Sequence, residues 1–304
     1  MTVAQPADLN SAVLLARQMT QSLRLGADDA EAILAIVLQW GGQMSSGEGG
    51  ILHLRELDGD ACGLEVVATH RDAFHWSLPR SLPAHVRFDQ WIGPQGGAAL
   101  ARVGPAGLAV DGRFGAAQHA FRQDPFCGDA WAVAVGSSGV TALVIDGLGH
   151  GPVANMAAVA GIEAFSADPG QPLGSVAQAL HVGMARTCGG VAALGHFNPA
   201  DLHLSFVGAG DVSGRLIGLD GTSRGLASQP GTFGVRLPPL RVLPYQADAH
   251  LLVLHSDGVR DRWRLQDYPG LRLRHPALIA AILHRDFGRD SDDGTILVVD
   301  LDAF

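Results

Sequence analysis

The chain has 304 residues, of which 47% are apolar and 17% charged; this is enough apolar material for one large or two modest cores and too little charge for a disordered chain. A net charge of −9 argues against nucleic acid as a partner, because phosphate backbones are met with basic patches. No apolar run approaches the ~20 residues of a membrane span, and the opening MTVAQPADLN has no basic segment followed by an apolar one, so a cytoplasmic protein without a membrane partner is expected.

Residues 10–45 read as helical. Leu15, Met19 and Leu23 recur at helical spacing, and Asp28-Asp29 open a second helix through Ile33, Ile36 and Val37. ILHLREL (51–57) and GLEVVATH (63–70) form a predicted strand pair across the turn Asp58-Gly59-Asp60. Residues 71–116 are rich in Pro, Gly and His with weak periodicity, which puts a domain boundary near residue 105. WAVAVG (131–136) and VTALVID (140–146) flank Gly136–Gly139 as the arms of a hairpin. Residues 152–166 and 173–187 read as helices, and VAALGHF, LHLSFVG and SGRLIGL follow as short strands. HLLVLHSDG (250–258) is an apolar strand ending in an acid, 276–287 is helical, and TILVVDL (295–301) is a last apolar strand. Hairpin-linked strands with helices in blocks predict an antiparallel α+β architecture rather than a parallel nucleotide-binding sheet.

The hairpin carries a geometric consequence. If Gly136–Gly139 are its loop, Val135 faces Val140 and, further along, Asp129 faces Asp146. Directly opposed residues have Cβ atoms about 5 Å apart, where like charges destabilise. Two such carboxylates need a proton or a cation between them, and a hard divalent cation suits oxygen donors. Asp257 lies just past one apolar strand and Asp292 just before another, so antiparallel pairing of those strands brings all four acids to one edge. Gly128, Gly147, Gly258 and Gly294 stand beside or near them. Taken singly, each of these acids reads better as a turn former; it is the four together that favour a metal site.

Other residues exclude or narrow. All 21 basic residues are Arg, so no P-loop, Schiff-base or kinase lysine exists. Cys62, Cys127 and Cys188 are odd in number and widely spaced, which fits reduced structural thiols rather than disulfides or zinc. Arg122 reads as a surface charge, Arg260 and Arg262 as local partners of Asp261, Gly208–Gly214 as a turn between core strands, and Trp131 as core packing.

Five segments, CGDAWAV (127–133), DGLGHGPVANMAA (146–158), VGAGDVSGRL (207–216), LHSDGVRDRW (254–263) and SDDGTILVV (291–299), resemble in order and spacing the SpoIIE/RsbX-like branch of type 2C metal-dependent protein phosphatases. The resemblance covers about 110–304 and implies a phosphatase domain over 106–304, an α-β-β-α sandwich of two antiparallel sheets. It implies two Mn²⁺ or Mg²⁺ ions bridged by Asp146, with the Gly147 carbonyl a further ligand, Asp257 and Asp292 ligands of the second metal, and Asp129 contacting the site, often through water. A metal-activated water would attack phosphorus of phosphoserine or phosphothreonine. The implied partner is a phosphorylated anti-sigma antagonist with a STAS domain. The family often places a histidine directly after Asp-Gly as an acid, whereas this chain has Leu148 there and His150 two residues on, which gives His150 a turn or supporting role.

Residues 1–105 resemble, weakly, an RsbT-like histidine-kinase-type ATPase module of α/β sandwich form. Val37 and Gly41 stand about where that family keeps its catalytic Glu and Mg²⁺-binding Asn, its adenine-reading Asp is not recognisable in ATHRDAFHW, and its glycine lid is reduced to GPQGGAALAR (93–102). A degenerate regulatory or docking module that binds no ATP is therefore expected, with a homodimer one use of it. The competing reading of the whole chain is a pseudophosphatase that sequesters a signalling partner, and four retained clustered acids weigh against it.

Overall fold

The structure is a computed structural model that describes residues 2–3, 6–45, 49–57, 62–73, 75–104 and 113–304. The expected turn at Asp58-Gly59-Asp60 and the expected boundary at 105 lie outside the described residues. In chain order the elements are β1 (Thr2–Val3), α1 (Pro6–Ser22), α2 (Ala27–Met44), β2 (Gly50–Leu57), β3 (Gly63–His70), β4 (Arg87–Gly93), β5 (Gly96–Val103) and β6 (Phe114–His119). There follow β7 (Asp129–Gly136), β8 (Gly139–Gly147), α3 (Gly151–Ala167), α4 (Leu173–Gly183), β9 (Gly190–Asn198), β10 (His203–Ala209) and β11 (Ser213–Ile217). The last are β12 (Ser223–Leu226), β13 (Leu243–Gln246), β14 (Leu251–His255), α5 (Pro276–Phe287) and β15 (Gly294–Asp300). The architecture is α+β, and every described strand pairing in the three sheets is antiparallel.

The chain divides into two compact units. One comprises Met1–Gly112 and Asp267–Arg285, the other Arg113–Gln266 and Asp286–Phe304. The span read from sequence as one continuous domain is thus interrupted: 267–285 folds with the first unit.

In the first unit the strand order is β1-β2-β3-β5-β4. Period-2 alternation sorts its side chains. Leu64, Val66, Ala68, Ala99, Ala101 and Val103 face α1 and α2, where Ile33, Ile36, Val37, Trp40 and Met44 are buried. Asp28 and Asp29 sit in the first turn of α2, where the helix dipole favours acids. The opposite face carries Glu65, bound to Arg55 at 2.8 Å and to Arg102 at 2.7 Å. Against that face lies α5, whose His284 ring stands 5.4 Å from His53. Strands β4 and β5 fall within the stretch that looked irregular in sequence. GPQGG is the tight turn between them, with Gly93 paired to Gly96, rather than a lid.

The second unit has two five-stranded sheets, ordered β13-β10-β9-β8-β7 and β12-β11-β14-β15-β6. Alternation in β8 again decides the layers. Val140, Ala142 and Val144 point between the sheets to meet Leu216, Leu252, Leu254, Leu297 and Val299. Leu143 and Ile145 point the other way, to Ala157, Phe165, Val176 and Leu180 of α3 and α4. The free cysteines Cys62, Cys127 and Cys188 make no disulfide. No helix among the described residues is long and apolar enough to cross a membrane.

Candidate metal centre

Strands β7 and β8 turn through Ser137 and Ser138, with Gly136 opposite Gly139 and, at the far end, Asp129 opposite Asp146. Gly139 takes φ +128°, a left-handed conformation open to glycine. The ladder runs on one step past the start of β7, since the Gly147 N–H donates to the Gly128 carbonyl at 3.0 Å. Gly147 has no room for a side chain: a Cβ there would stand 2.3 Å from the Ala154 carbonyl oxygen. Asp146 is thereby held between a tight backbone approach and the start of α3.

The opposite sheet supplies the second pair. Strand β14 pairs with β15 as far as His255 and Ile296, and Ser256 N–H then bonds the Thr295 carbonyl at 3.0 Å. Asp257 and Asp292 flank this last pairing on the β14 and β15 sides. The Ser256 hydroxyl donates to Asp129 Oδ2 at 2.6 Å and accepts from Thr295 N–H at 3.0 Å. One serine therefore ties the start of β7 in one sheet to the β14–β15 edge of the other.

Two further acids join the group, and sequence reasoning did not single them out. Asp211, at the turn between β10 and β11, lies against Asp257 and raises its pKa. Its signal was present in VGAGDVSGRL, where the stretch read as a turn; it is a turn, with Gly210 at φ +85°, and it also aims a carboxylate. Asp293 is buried, and its Oδ1 accepts the Phe121 N–H at 2.8 Å.

Electrostatics report the crowding. Burial pushes the Asp146 carboxyl up to about 9, with Asp129, Asp257, Asp292 and Asp211 adding to the shift. Burial likewise raises Asp129 to about 7, with Asp293 and Asp292 adding and the Ser256 hydroxyl opposing. Asp257 is raised by burial and then by Asp211 and Asp292, while Arg289 pulls it back. Asp129 Oδ1 and Asp293 Oδ2 are buried and accept no hydrogen bond among the described residues. Hard oxygen donors, excess negative charge and orphaned buried acceptors fit a divalent cation. The fit is open rather than closed: no three of these carboxylates bring oxygens within 4.8 Å of one another, and the described trio that does is His250, Asp300 and Asp302.

Neighbouring residues take plainer roles. His150 precedes α3, with its ring 4.7 Å from that of Phe121. Arg122 is exposed, has φ 50° and lays its guanidinium over Phe121 at 4.9 Å. Trp131 packs against Phe114 and the inter-sheet core. Asp261 does not pair with Arg260 or Arg262, as its sequence neighbourhood suggested. Arg215 binds it at 2.6 Å and His255 at 3.2 Å, while Arg260 donates to the Gly288 carbonyl, because the chain turns between residues 260 and 262.

No family model matches the chain, and no curated protein matches it. Solved structures do. A structure described under the bacterial stressosome, a modular system adapted to control secondary messenger signalling, is 24% identical with a TM-score of 0.57, covering 61% of this chain and 97% of that one. RsbX in complex with magnesium is 14% identical with a TM-score of 0.53, covering 82% and 100%. The PP2C phosphatase domain of SpoIIE from Bacillus subtilis, with a fragment of its regulatory domain, is 16% identical with a TM-score of 0.52, covering 97% and 91%. At these identities the likeness concerns the fold, and the fold of this chain is that of the PP2C phosphatases.

Proposed function

We propose that the chain is a phosphoprotein phosphatase, dependent on Mn²⁺ or Mg²⁺, that hydrolyses phosphoserine or phosphothreonine on a STAS-type antagonist in a bacterial partner-switching pathway. The observation that carries this reading is the opposed pair Asp129 and Asp146 with Asp257, Asp292 and Asp211 loading the same edge. A structural site would not gather five acids where their charged forms repel. The shared fold with RsbX and SpoIIE supports the reaction class.

Asp146, Asp129, Asp257, Asp292 and the Gly147 carbonyl are the groups that would hold two ions. Bound divalent ions would supply a low-pKa water and neutralise phosphoryl charge. The protein's own share is positional. Ser256 keeps one oxygen of Asp129 engaged and leaves Oδ1 for other use. Gly147 keeps Asp146 against the Ala154 backbone. In the first unit, Val37 and Gly41 are spent on the core, where a Cβ on Gly41 would strike Leu9 at 2.4 Å. That supports reading the unit as a regulatory or docking module that binds no ATP.

The test is hydrolysis of p-nitrophenyl phosphate and of a phosphoserine peptide with Mn²⁺. The wild type turns over both, chelator stops it, and Asp146→Ala falls to background. Activity of Asp146→Ala in metal-free buffer refutes the reading.

A further inference from the structure

The hairpin of β11 and β12 carries two glycines with different reasons to be there. Gly214 pairs with Leu226, and Arg215 pairs with Gly225. Gly214 points into the core, where a Cβ would stand 2.9 Å from the Phe206 ring. Arg215 and Gly225 share the opposite face, since side chains alternate along a strand. At Gly225 packing asks for no glycine: φ lies outside the left-handed region, and a Cβ would meet nothing within 4 Å. Glycine inside a strand weakens it, and it marks places where a ligand's backbone comes close.

A cavity of about 490 Å³ opens over this face, and all of its lining belongs to the second unit. Pockets for drug-sized ligands run from about 300 to 1,000 Å³, far more than a phosphoryl group fills. One end of the cavity is Asp211, which lies against Asp257, so the space is continuous with the acidic edge. The other end is Asp261, which holds the Arg215 guanidinium at 2.6 Å, while the Trp263 ring lies 4.5 Å beneath it. Arg215 thus spends its charge on Asp261, and the lining offers no second cation for another phosphate. What remains are the hydroxyls of Ser213 and Ser223, which line the cavity and bond no other group among the described residues. Hydroxyls both donate and accept, which suits the alternating amides of an extended peptide.

We propose that this cavity is the subsite for the polypeptide flanking the phosphorylated residue. Small polar residues of the substrate lie in extended form over Gly225, with their amides on Ser213 and Ser223. This rests on reading the acidic edge as the phosphatase centre. The missing side chain at Gly225 then makes the enzyme select a protein substrate over a small phosphate ester.

The experiment is steady-state kinetics of the full chain with Mn²⁺ on two probes that share a leaving group. One is free phosphoserine. The other is a phosphoserine peptide of about ten residues with glycine, serine and asparagine flanks, long enough to span the hairpin. The wild type is expected to show the higher kcat/KM on the peptide. Gly225→Leu fills the cavity, and the peptide-to-phosphoserine ratio should fall about tenfold through the peptide KM, the scale of one changed pocket contact. Circular dichroism melts check that the variant is folded. If it is not, Ser223→Trp, at an exposed position on the same rim, is read in the same way. A folded variant with the wild-type ratio overturns the inference, as does an equal loss on both probes or a wild type that gains nothing from the peptide; in each case the phosphatase reading stands. A wild type that hydrolyses neither probe overturns both.

Discussion

Asp129 and Asp146 face each other because two serines, and no more, turn the β7–β8 hairpin. Side-chain pairing along a two-residue hairpin follows from the loop length alone, which is why this part of the candidate site is legible in the sequence. What sequence could not show is the company the pair keeps. Burial holds both carboxyls well above the ordinary carboxylate range, Asp129 at about 7 and Asp146 at about 9. In metal-free protein the folded state therefore holds protons that the unfolded chain has released. The stability these groups contribute is complete below about pH 4 and is lost as pH rises through their folded values. A cation that replaces those protons reverses the trend. Calorimetric melts with and without Mn²⁺ at about pH 6 and about pH 8.5 should show the larger metal-induced rise in Tm at the higher pH. An equal rise at both would deny that protons and metal compete for the same carboxylates.

At the scale of elements, the β8–α3 junction is closely packed beside Asp146. Gly147→Ala places a methyl against the Ala154 carbonyl at 2.3 Å, so β8 and α3 must separate. A loss of about 1–3 kcal/mol in urea unfolding is expected, together with loss of activity, although the substituted side chain is no ligand. Wild-type turnover in this variant would show that the junction tolerates movement. Most long elements were readable by period: β3, β8 and α5 stand within a residue or so of their sequence bounds. β5 was not. Its residues, Gly-Gly-Ala-Ala-Leu-Ala-Arg-Val, are all buried, so there is no alternation of apolar and polar to read, and Gly and Ala are poor strand formers. It is a strand because it pairs with β3 and β4 on its two sides.

Across the whole molecule, the first unit has its own internal electrostatics. Glu65 is fully enclosed between Arg55 and Arg102. Burial works against its ionisation, yet the two guanidinium groups bring its pKa down to about 2. Its contribution to stability is thus present above the ordinary glutamate value and is lost as pH falls toward about 2. His275, beside the same group, is pushed down to about 3 by burial and by Arg102, so acidification also charges a histidine that the fold keeps neutral. Glu65→Ala removes the buried carboxylate that both arginines bind and should cost about 3–5 kcal/mol in denaturant unfolding. A loss under about 1 kcal/mol would mean that water reaches the pair.

The sequence by itself determined the antiparallel α+β class, the opposed Asp129 and Asp146, and the placement of Asp257 and Asp292 at strand ends. These follow from periodicity and loop length, which are local. Only the tertiary structure decided that Asp211 lies against Asp257 and Ser256 against Asp129, that β5 is a strand, and that Asp267–Arg285 folds with the first unit. Each of those depends on which distant backbone comes alongside, and no local pattern of side chains encodes it.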